Sequence, residues 1–123
     1  IDAVNILQAT YDAMHEAIDA CVAAIGGSHA LHCLVDGNRF RRHRLPHTTI
    51  VGGDAQSPSI AAASILAKTT RDAWMCTADE QYPGYGFAVH KGYGTASHRA
   101  ILRELGPCSI HRTLFVRKAL SAA

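Results

Sequence analysis

Two short apolar runs, each leading to an aspartate beside glycine, constrain the fold of this chain more than any other feature. Residues 31–35 read Leu-His-Cys-Leu-Val and lead into Asp36, and residues 48–51 read Thr-Thr-Ile-Val and lead through two glycines into Asp54. Short apolar or β-branched runs that stop at turn residues are typical of buried strands. The sequence therefore predicts two strands, each of which delivers a carboxylate to the turn that follows it.

Helical patterns surround these two strands. Apolar residues recur at steps of three and four through residues 3–24, which predicts an amphipathic helix. Ser57-Pro58 is a helix start, and the Ala-rich stretch after it predicts a long helix that could lie close against a sheet. Two shorter helices are predicted over residues 96–105 and 111–120. This order of elements predicts a single α/β domain over the 123 residues.

The composition is that of a globular chain. Hydrophobic residues make up 48% and charged residues 18%, which argues against disorder. No uninterrupted apolar stretch approaches the roughly 20 residues of a membrane span, and no secretory pattern opens the chain. We therefore expect a cytoplasmic protein with no membrane partner. Because the four cysteines are widely spaced, we expect them to be reduced and buried rather than bridged.

Charge is distributed unevenly along the chain. Residues 1–38 contain five acids and no Lys or Arg, whereas all 12 basic residues fall in residues 39–123. The densest basic run is residues 39–44, Arg-Phe-Arg-Arg-His-Arg. Such a run attracts phosphates, but it is also typical of a solvated loop. Both interpretations stay open on the sequence alone.

The two strand-end aspartates are the first candidates for chemistry. Sites in α/β folds form where strands end, and the repulsion between two nearby carboxylates falls when a divalent cation binds between them. A pair of Mg²⁺ ions can activate water for phosphodiester hydrolysis. Asp36 and Asp54 could therefore be metal ligands, or they could be ordinary turn residues.

Three further side chains could contact a nucleic acid. Lys68 on the long helix and Lys91 in a Gly-flanked loop could each touch phosphate or point to solvent. Tyr93 lies between two glycines, where it could stack on a sugar or base, or simply pack.

Several stretches taken together resemble ribonuclease HII, the type 2 ribonuclease H. Two blocks are long and specific: Ser-Ile-Ala-Ala-Ala-Ser-Ile-Leu-Ala-Lys at residues 59–68 and His-Lys-Gly-Tyr-Gly-Thr at residues 90–95. The other matching stretches run in the family's order along the chain: Asn5 to Thr10, Leu34 to Arg39, Gly53 to Pro58, Thr70 to Asp72, Tyr82 to Phe87, Leu105 to Pro107, and His111-Arg112.

The resemblance implies a ribonuclease H-like α/β fold, here an incomplete sheet flanked by helices. It implies an endonuclease that uses Mg²⁺ or Mn²⁺ to cut the RNA strand of RNA–DNA hybrids, and that cuts 5′ of ribonucleotides embedded in a DNA duplex. Asp36 and Asp54 match two of the family's four catalytic, metal-binding carboxylates. Tyr93 matches the tyrosine that stacks against the sugar lacking a 2′-hydroxyl. Lys68 and Lys91 fall in blocks that lie near the nucleic acid.

One departure from the family pattern affects these expectations. The Gly-x-Asp-Glu-Ala-Gly-Arg-Gly segment that supplies the other two carboxylates does not occur in these 123 residues. The sequence is therefore expected to be the C-terminal part of such a protein, without its first strands. An open sheet edge predicts self-association or pairing with the missing N-terminal part. The alternative function is a catalytically incomplete module that retains nucleic-acid binding, or that needs the N-terminal part for activity.

Overall fold

The computed structural model describes residues 3–26 and 30–121, which contain helices and one small sheet. In chain order the elements are α1 (Ile6–Ile25), β1 (Cys33–Asp36), β2 (His47–Ile50), α2 (Gly53–Gln56), α3 (Pro58–Gln81), α4 (Phe87–His90), α5 (Ala96–Leu105) and α6 (Thr113–Ser121). This mostly helical α/β arrangement confirms the predicted fold class. Within the described ranges, no helix combines the length and the apolar character that crossing a membrane requires.

The two strands form a parallel pair. Their register runs from Cys33 opposite His47 to Asp36 opposite Ile50. The side chain of Val35, in β1, is buried. Because the strands are parallel, their carboxyl ends lie at the same edge of the sheet. Both predicted strands are present, each within two residues of its expected limits, but Val35 is the one buried residue in them, so the expectation of buried strands is wrong.

Local capping explains where the longer helices begin and end. The side chain of Asn5 accepts a hydrogen bond from the backbone N–H three residues later, so α1 begins at the next residue, and it ends at Gly26 with φ 74°. Ser57 precedes α3 as predicted, and its hydroxyl oxygen accepts from an N–H of the first turn. Thr95 caps α5, which stops at Gly106 with φ 73°. These boundaries follow from residues whose capping chemistry is readable in the sequence.

Two one-turn helices replace predicted turns. α2 begins after Gly52 and α4 begins after Gly86, both with positive φ, so Asp54 lies on a short helix rather than in a turn. Within the first unit, residues 62–66 of α3 are exposed, so the expectation that the small residues of this helix lie close against the sheet is wrong there.

The expectation that the cysteines are buried is wrong. All four are free, as predicted, but Cys21 and Cys76 are exposed and the other two are only half-buried. Each exposed cysteine lies on a long helix, Cys21 on α1 and Cys76 on α3.

The chain divides into two compact units, Ala3–Leu66 and the part from Ala67 onward. Val35 and Ile60 are the buried hydrophobic side chains of the first unit. In the second unit, Phe87 and Leu102 are buried with two histidines. The first unit therefore contains both candidate aspartates, and the second contains the candidate lysines and Tyr93.

Candidate functional site

The two candidate aspartates are linked through one backbone amide. Asp36 is the last residue of β1, and its carboxylate accepts a hydrogen bond from the backbone N–H of Gly53, with 2.8 Å between Oδ1 and N. Asp54 follows Gly53 directly and lies in the first turn of α2. Both aspartates are exposed. The hydrogen bond therefore holds the chain that leaves β2 against the carboxyl end of β1, which places the two aspartates at one edge of the sheet.

Gly53 is the residue that allows this approach. A Cβ at this position would lie 2.6 Å from Cδ1 of Ile60 and 3.3 Å from Oδ1 of Asp36. Real Cβ atoms essentially never approach another heavy atom as closely as the first of these distances. A side chain at this position would therefore require the end of the Ile60 side chain to move, and its Cβ would lie tightly against the carboxylate of Asp36.

The aspartate pair fits part of a divalent-metal site. Carboxylate oxygens are the ligands that Mg²⁺ prefers, and this ion is commonly held by one or two carboxylates together with waters and phosphate oxygens. Among residues 3–26 and 30–121, no group of three or more His, Cys, Asp or Glu side chains comes together to hold an ion. Asp36 and Asp54 can therefore supply some of the ligands of a metal ion, with the others coming from water or substrate.

The basic run at residues 39–44 contacts the acidic face of α1. Nη2 of Arg41 lies 2.6 Å from Oδ1 of Asp12, and Nη2 of Arg44 lies 2.7 Å from Oδ1 of Asp19. The hydrogen bond from Arg44 holds the pKa of the Asp19 carboxyl below its usual value. The uneven charge of the sequence is therefore partly neutralised inside the first unit.

This pairing bears on the two interpretations of the basic run. Arg41 and Arg44 are occupied by protein carboxylates, which indicates a structural role for them. Arg39 and Arg42 are exposed and form no ion pair with any described residue, so they are the two arginines of the run whose charge is available to a phosphate.

The loop that carries Tyr93 is fixed on both sides. Lys91 ends α4 with a left-handed backbone (φ 51°), and the N–H of Tyr93 donates to the carbonyl of His90 at 2.8 Å. The guanidinium of Arg71 on α3 lies over the Tyr93 ring, 4.6 Å from its centroid. Tyr93 itself remains 55% exposed. An ordered loop thus presents a largely open aromatic side chain.

Behind this loop, His98 and His111 form a hydrogen-bonded pair whose tautomers are set by backbone groups. The N–H of Cys108 donates to Nδ1 of His111, so the proton of neutral His111 is on Nε2, which lies 3.0 Å from Nε2 of His98. His98 then carries its proton on Nδ1 and donates it to the carbonyl of Tyr93 at 2.9 Å. All four ring nitrogens of His98 and His111 have hydrogen-bond partners only while both imidazoles are neutral.

Both ring nitrogens of His90 also have hydrogen-bond partners, and both partners are backbone groups. Its Nδ1 accepts from the N–H of Gly92, and its Nε2 lies 2.7 Å from the carbonyl of Tyr85. The ring is stacked on that of His98, with 4.0 Å between centroids. Burial lowers the pKa of His98 and of His111 below the ordinary value of 6.5, because a charged imidazole loses hydration there.

Comparison with known proteins decides the family of this chain. The family model for ribonuclease HII matches residues 1–118. The chain belongs to the ribonuclease HII family. It is 54% identical over 123 residues to the ribonuclease HII of Halorhodospira halophila, which covers 98% of this chain and 62% of that protein. It is 52% identical over 115 residues to the ribonuclease HII of Geobacter metallireducens, covering 94% of this chain and 52% of that protein.

A third relative shows how the lengths compare. The ribonuclease HII of an Anaeromyxobacter species is 51% identical over 125 residues, which is 100% of this chain and 38% of that protein. The chain therefore spans about half the length of the curated ribonuclease HII proteins that it matches.

The remaining residues predicted from the ribonuclease HII resemblance lie in the second unit. Lys68 is exposed on α3, and no described residue forms a hydrogen bond or ion pair with its ammonium group. Lys91 is half-buried, and its Nζ donates to Sγ of Cys76 at 2.9 Å and to the carbonyl of Asp72 at 3.4 Å. In this conformation the Lys91 ammonium is directed onto α3, where it helps hold the loop.

Two residues at these sites were not identified from sequence reasoning. The N–H of Gly53 is the group that holds Asp36, although Gly52-Gly53 was read only as a turn. Arg71 contacts the Tyr93 loop, although the sequence indicates it only as part of a stretch that resembles ribonuclease HII. For Gly53, the signal in the sequence is its position directly before Asp54. For Arg71, the sequence offers no such signal.

Proposed function

We propose that this chain takes part in metal-dependent hydrolysis of the RNA strand of RNA–DNA hybrids, with cleavage 5′ of ribonucleotides embedded in a DNA duplex. The observation that supports the proposal is the hydrogen bond from Gly53 to Asp36, which brings two aspartates to one sheet edge in a member of the ribonuclease HII family. An edge formed by the carboxyl ends of parallel strands is where α/β folds build their sites.

The proposed cofactor is Mg²⁺ or Mn²⁺, held by Asp36 and Asp54. Such ions activate a water molecule and stabilise the leaving oxygen in phosphodiester hydrolysis. In this chain Asp36 uses Oδ1 to accept from Gly53, which leaves Oδ2 to face a cation. The hydrogen bond fixes the orientation of the carboxylate before any ion binds, because it joins the last residue of β1 to the buried first residue of α2.

The proposed nucleic-acid contacts are Tyr93, Lys68 and Lys91. Tyr93 has the exposure that stacking on a sugar requires, and the 2′-hydroxyl is what distinguishes RNA from DNA at such a position. Lys68 is exposed and carries a charge available to phosphate. Lys91 can reach a phosphate only if its ammonium leaves Cys76 and Asp72, so its contribution is coupled to a rearrangement of its side chain.

A second candidate follows from the small number of metal ligands. With no group of three or more potential ligands in the described part of the chain, the alternative is a module that binds a duplex but does not cut it, or that needs further carboxylates from another polypeptide segment. One cleavage experiment separates the two functions.

The test is cleavage of a DNA duplex that contains one ribonucleotide, with Mg²⁺ or Mn²⁺ present, by the chain and by its Asp36→Asn variant. Asparagine keeps an oxygen that can accept from Gly53 but removes the negative charge, so the fold should persist while metal binding is lost. Glu16→Gln is the matched control, because Glu16 is an exposed carboxylate of the first unit with no described partner.

Cleavage next to the ribonucleotide that disappears in Asp36→Asn and persists in Glu16→Gln supports the proposed hydrolysis. Binding of the duplex without cleavage, in a chain that circular dichroism shows to be folded, supports the binding module instead. Cleavage that is equal in all three proteins contradicts the metal role of Asp36.

A further inference from the structure

Arg71 connects α3 to the loop that carries Tyr93 in two ways. Its Nη2 donates to the carbonyl of Lys91 at 2.8 Å, and its guanidinium carbon lies 4.6 Å from the centroid of the Tyr93 ring. A guanidinium is planar, so it can donate in its plane while its face lies against an aromatic ring. The two contacts together fix both the backbone of the loop and the ring that the loop carries.

The charge of Arg71 is not used elsewhere in the described part of the chain. The ion pairs there join basic residues of the run at 39–44 to α1, and none of them includes Arg71. Its neighbour Asp72 takes part in none of these ion pairs either, and Oδ1 of Asp72 is buried without a hydrogen-bond partner among the described residues. The guanidinium is therefore held against the aromatic ring as an unneutralised cation.

The loop backbone packs closely enough on α3 to keep this geometry. Gly92 has φ 74°, which favours glycine, and a Cβ there would lie 2.7 Å from Cε of Met75, one helical turn beyond Arg71, so the loop lies directly against the helix. The carbonyl of Tyr93 accepts from His98, which fixes the next peptide. With the main chain held on both sides, the orientation of the ring is left to the guanidinium.

One side of the Tyr93 ring is therefore covered by Arg71, while the residue as a whole remains 55% exposed. The ring forms no pair with another aromatic residue of the described chain, and its hydroxyl has no described partner. A ring covered on one face and open elsewhere is suited to receive a flat or apolar surface, such as the face of a sugar, on the open face.

We propose that Arg71 is a positioning residue that sets the orientation in which Tyr93 meets the sugar next to a ribonucleotide, and that it thereby increases selectivity for ribonucleotide-containing duplexes. The inference rests on the proposed function, because it assigns Arg71 a part in the same discrimination between RNA and DNA. Arg71 acts through Tyr93, so its effect on selectivity disappears when the tyrosine ring is absent.

The functional test compares two dissociation constants, one for a DNA duplex with a single ribonucleotide and one for the same duplex without it. Both are measured by fluorescence anisotropy in EDTA, where metal-dependent cleavage does not occur. Arg71→Gln is expected to reduce the ratio of the two constants by about two- to tenfold, the range of a cation–π contact. In a Tyr93→Leu background the same substitution is expected to leave the ratio unchanged.

Two further variants separate positioning from charge and from folding. Arg71→Lys keeps the charge but not the planar group, so its ratio is expected to lie near that of Arg71→Gln. Arg117→Gln removes an exposed arginine with no described contact on α6 of the same unit, and it is expected to weaken binding to both duplexes equally. A merely structural role of Arg71 would likewise lower both affinities together.

The geometry has a readout that needs no nucleic acid. In NMR spectra the side-chain protons of Arg71 are expected upfield of their usual positions, because they lie over the Tyr93 ring, and to return on Tyr93→Leu. Absence of this shift overturns the proposal. A ribonucleotide preference that Arg71→Gln does not change overturns it while leaving the proposed function intact. If the parent chain shows no ribonucleotide preference, the proposed function and the role of Arg71 both fail.

Discussion

At the scale of single residues, Gly53 is a position where an added methyl group would affect both the buried core and the candidate site. We expect Gly53→Ala to destabilise the first unit by about 1–3 kcal/mol, because the new methyl group would overlap Cδ1 of the buried Ile60. The same methyl group would press on the carboxylate of Asp36, so affinity for Mn²⁺ should also fall. Urea unfolding and Mn²⁺ titration measure the two effects.

A second substitution shows whether the overlap is the cause. Ile60→Val removes Cδ1 and should by itself cost about 0.5–1.5 kcal/mol. Combined with Gly53→Ala it should restore part of the lost stability, since the atom nearest the new methyl group is gone. Strictly additive losses in the double variant would contradict the steric explanation.

The same scale shows what the sequence could predict about the site. Asp36 and Asp54 were identified because each ends a strand pattern beside glycine, and such local signals can be read from the sequence. The pairing of Asp36 with Gly53, 17 residues away, depends on the register of two parallel strands. Likewise, Arg71 and Lys91 are 20 residues apart and meet only because the loop folds back on α3. Contacts of this kind leave no periodic or compositional signal.

At the scale of elements, the sequence predicted helices that have caps and more than one turn. α5 has its predicted bounds, and the sequence marks its end with Gly106-Pro107, whereas the cap at Thr95 is a finding of the structure. α2 and α4 were missed because each has only four residues, which is too short for an apolar period to appear. Their starts depend instead on glycines with positive φ, and these are indistinguishable in the sequence from glycines in ordinary turns.

The pair of histidines between α5 and the α6 start predicts a pH dependence of stability. Burial lowers the folded-state pKa of His98 and His111, so the unfolded chain binds more protons than the folded chain in mild acid. Stability should therefore be retained above the ordinary pKa of 6.5 and be lost as the pH falls from there through the folded-state values. Melting temperatures recorded between about pH 8 and pH 5 measure this slope.

Among the described residues, the groups in contact with this pair include no carboxylate that could reverse the sign. His98 and His111 face His90, Phe87, Phe115, Cys108 and Tyr85. His98→Gln should flatten the slope, whereas the same change at the exposed His32 should not. NMR titration of the parent provides the check that does not depend on folding of a variant, and ordinary pKa values for both imidazoles would refute the prediction.

The ion pairs between α1 and the basic run should contribute little to stability. The side chains of Arg41 and Asp12 are 41% and 46% exposed, and pairs with such exposure are worth at most about 1 kcal/mol. Asp12→Asn should therefore lower the unfolding free energy by less than that amount, with a smaller difference in high salt. Urea unfolding at two salt concentrations tests this, and a loss of several kcal/mol would show that the pair has a larger role.

At the scale of the whole molecule, more large hydrophobic side chains are exposed than buried among the described residues. In the first unit the buried hydrophobic side chains are Val35 and Ile60, whereas Leu66 on α3 is 67% exposed. Each of the two strands also pairs on one side only within the described residues. Exposed apolar groups and unpaired strand edges both favour association between chains.

We therefore expect this chain to associate as its concentration rises, giving species heavier than its 13.2 kDa monomer in sedimentation velocity. Leu66→Gln should weaken the association, because it removes a large exposed apolar side chain without touching the buried residues of either unit. Ala62→Gln is the matched control, since it places the same polar side chain at an exposed position of α3 that had little apolar area to lose. A monomer at every concentration, with one cooperative thermal transition at high temperature, would show that the two small cores are sufficient without a partner surface.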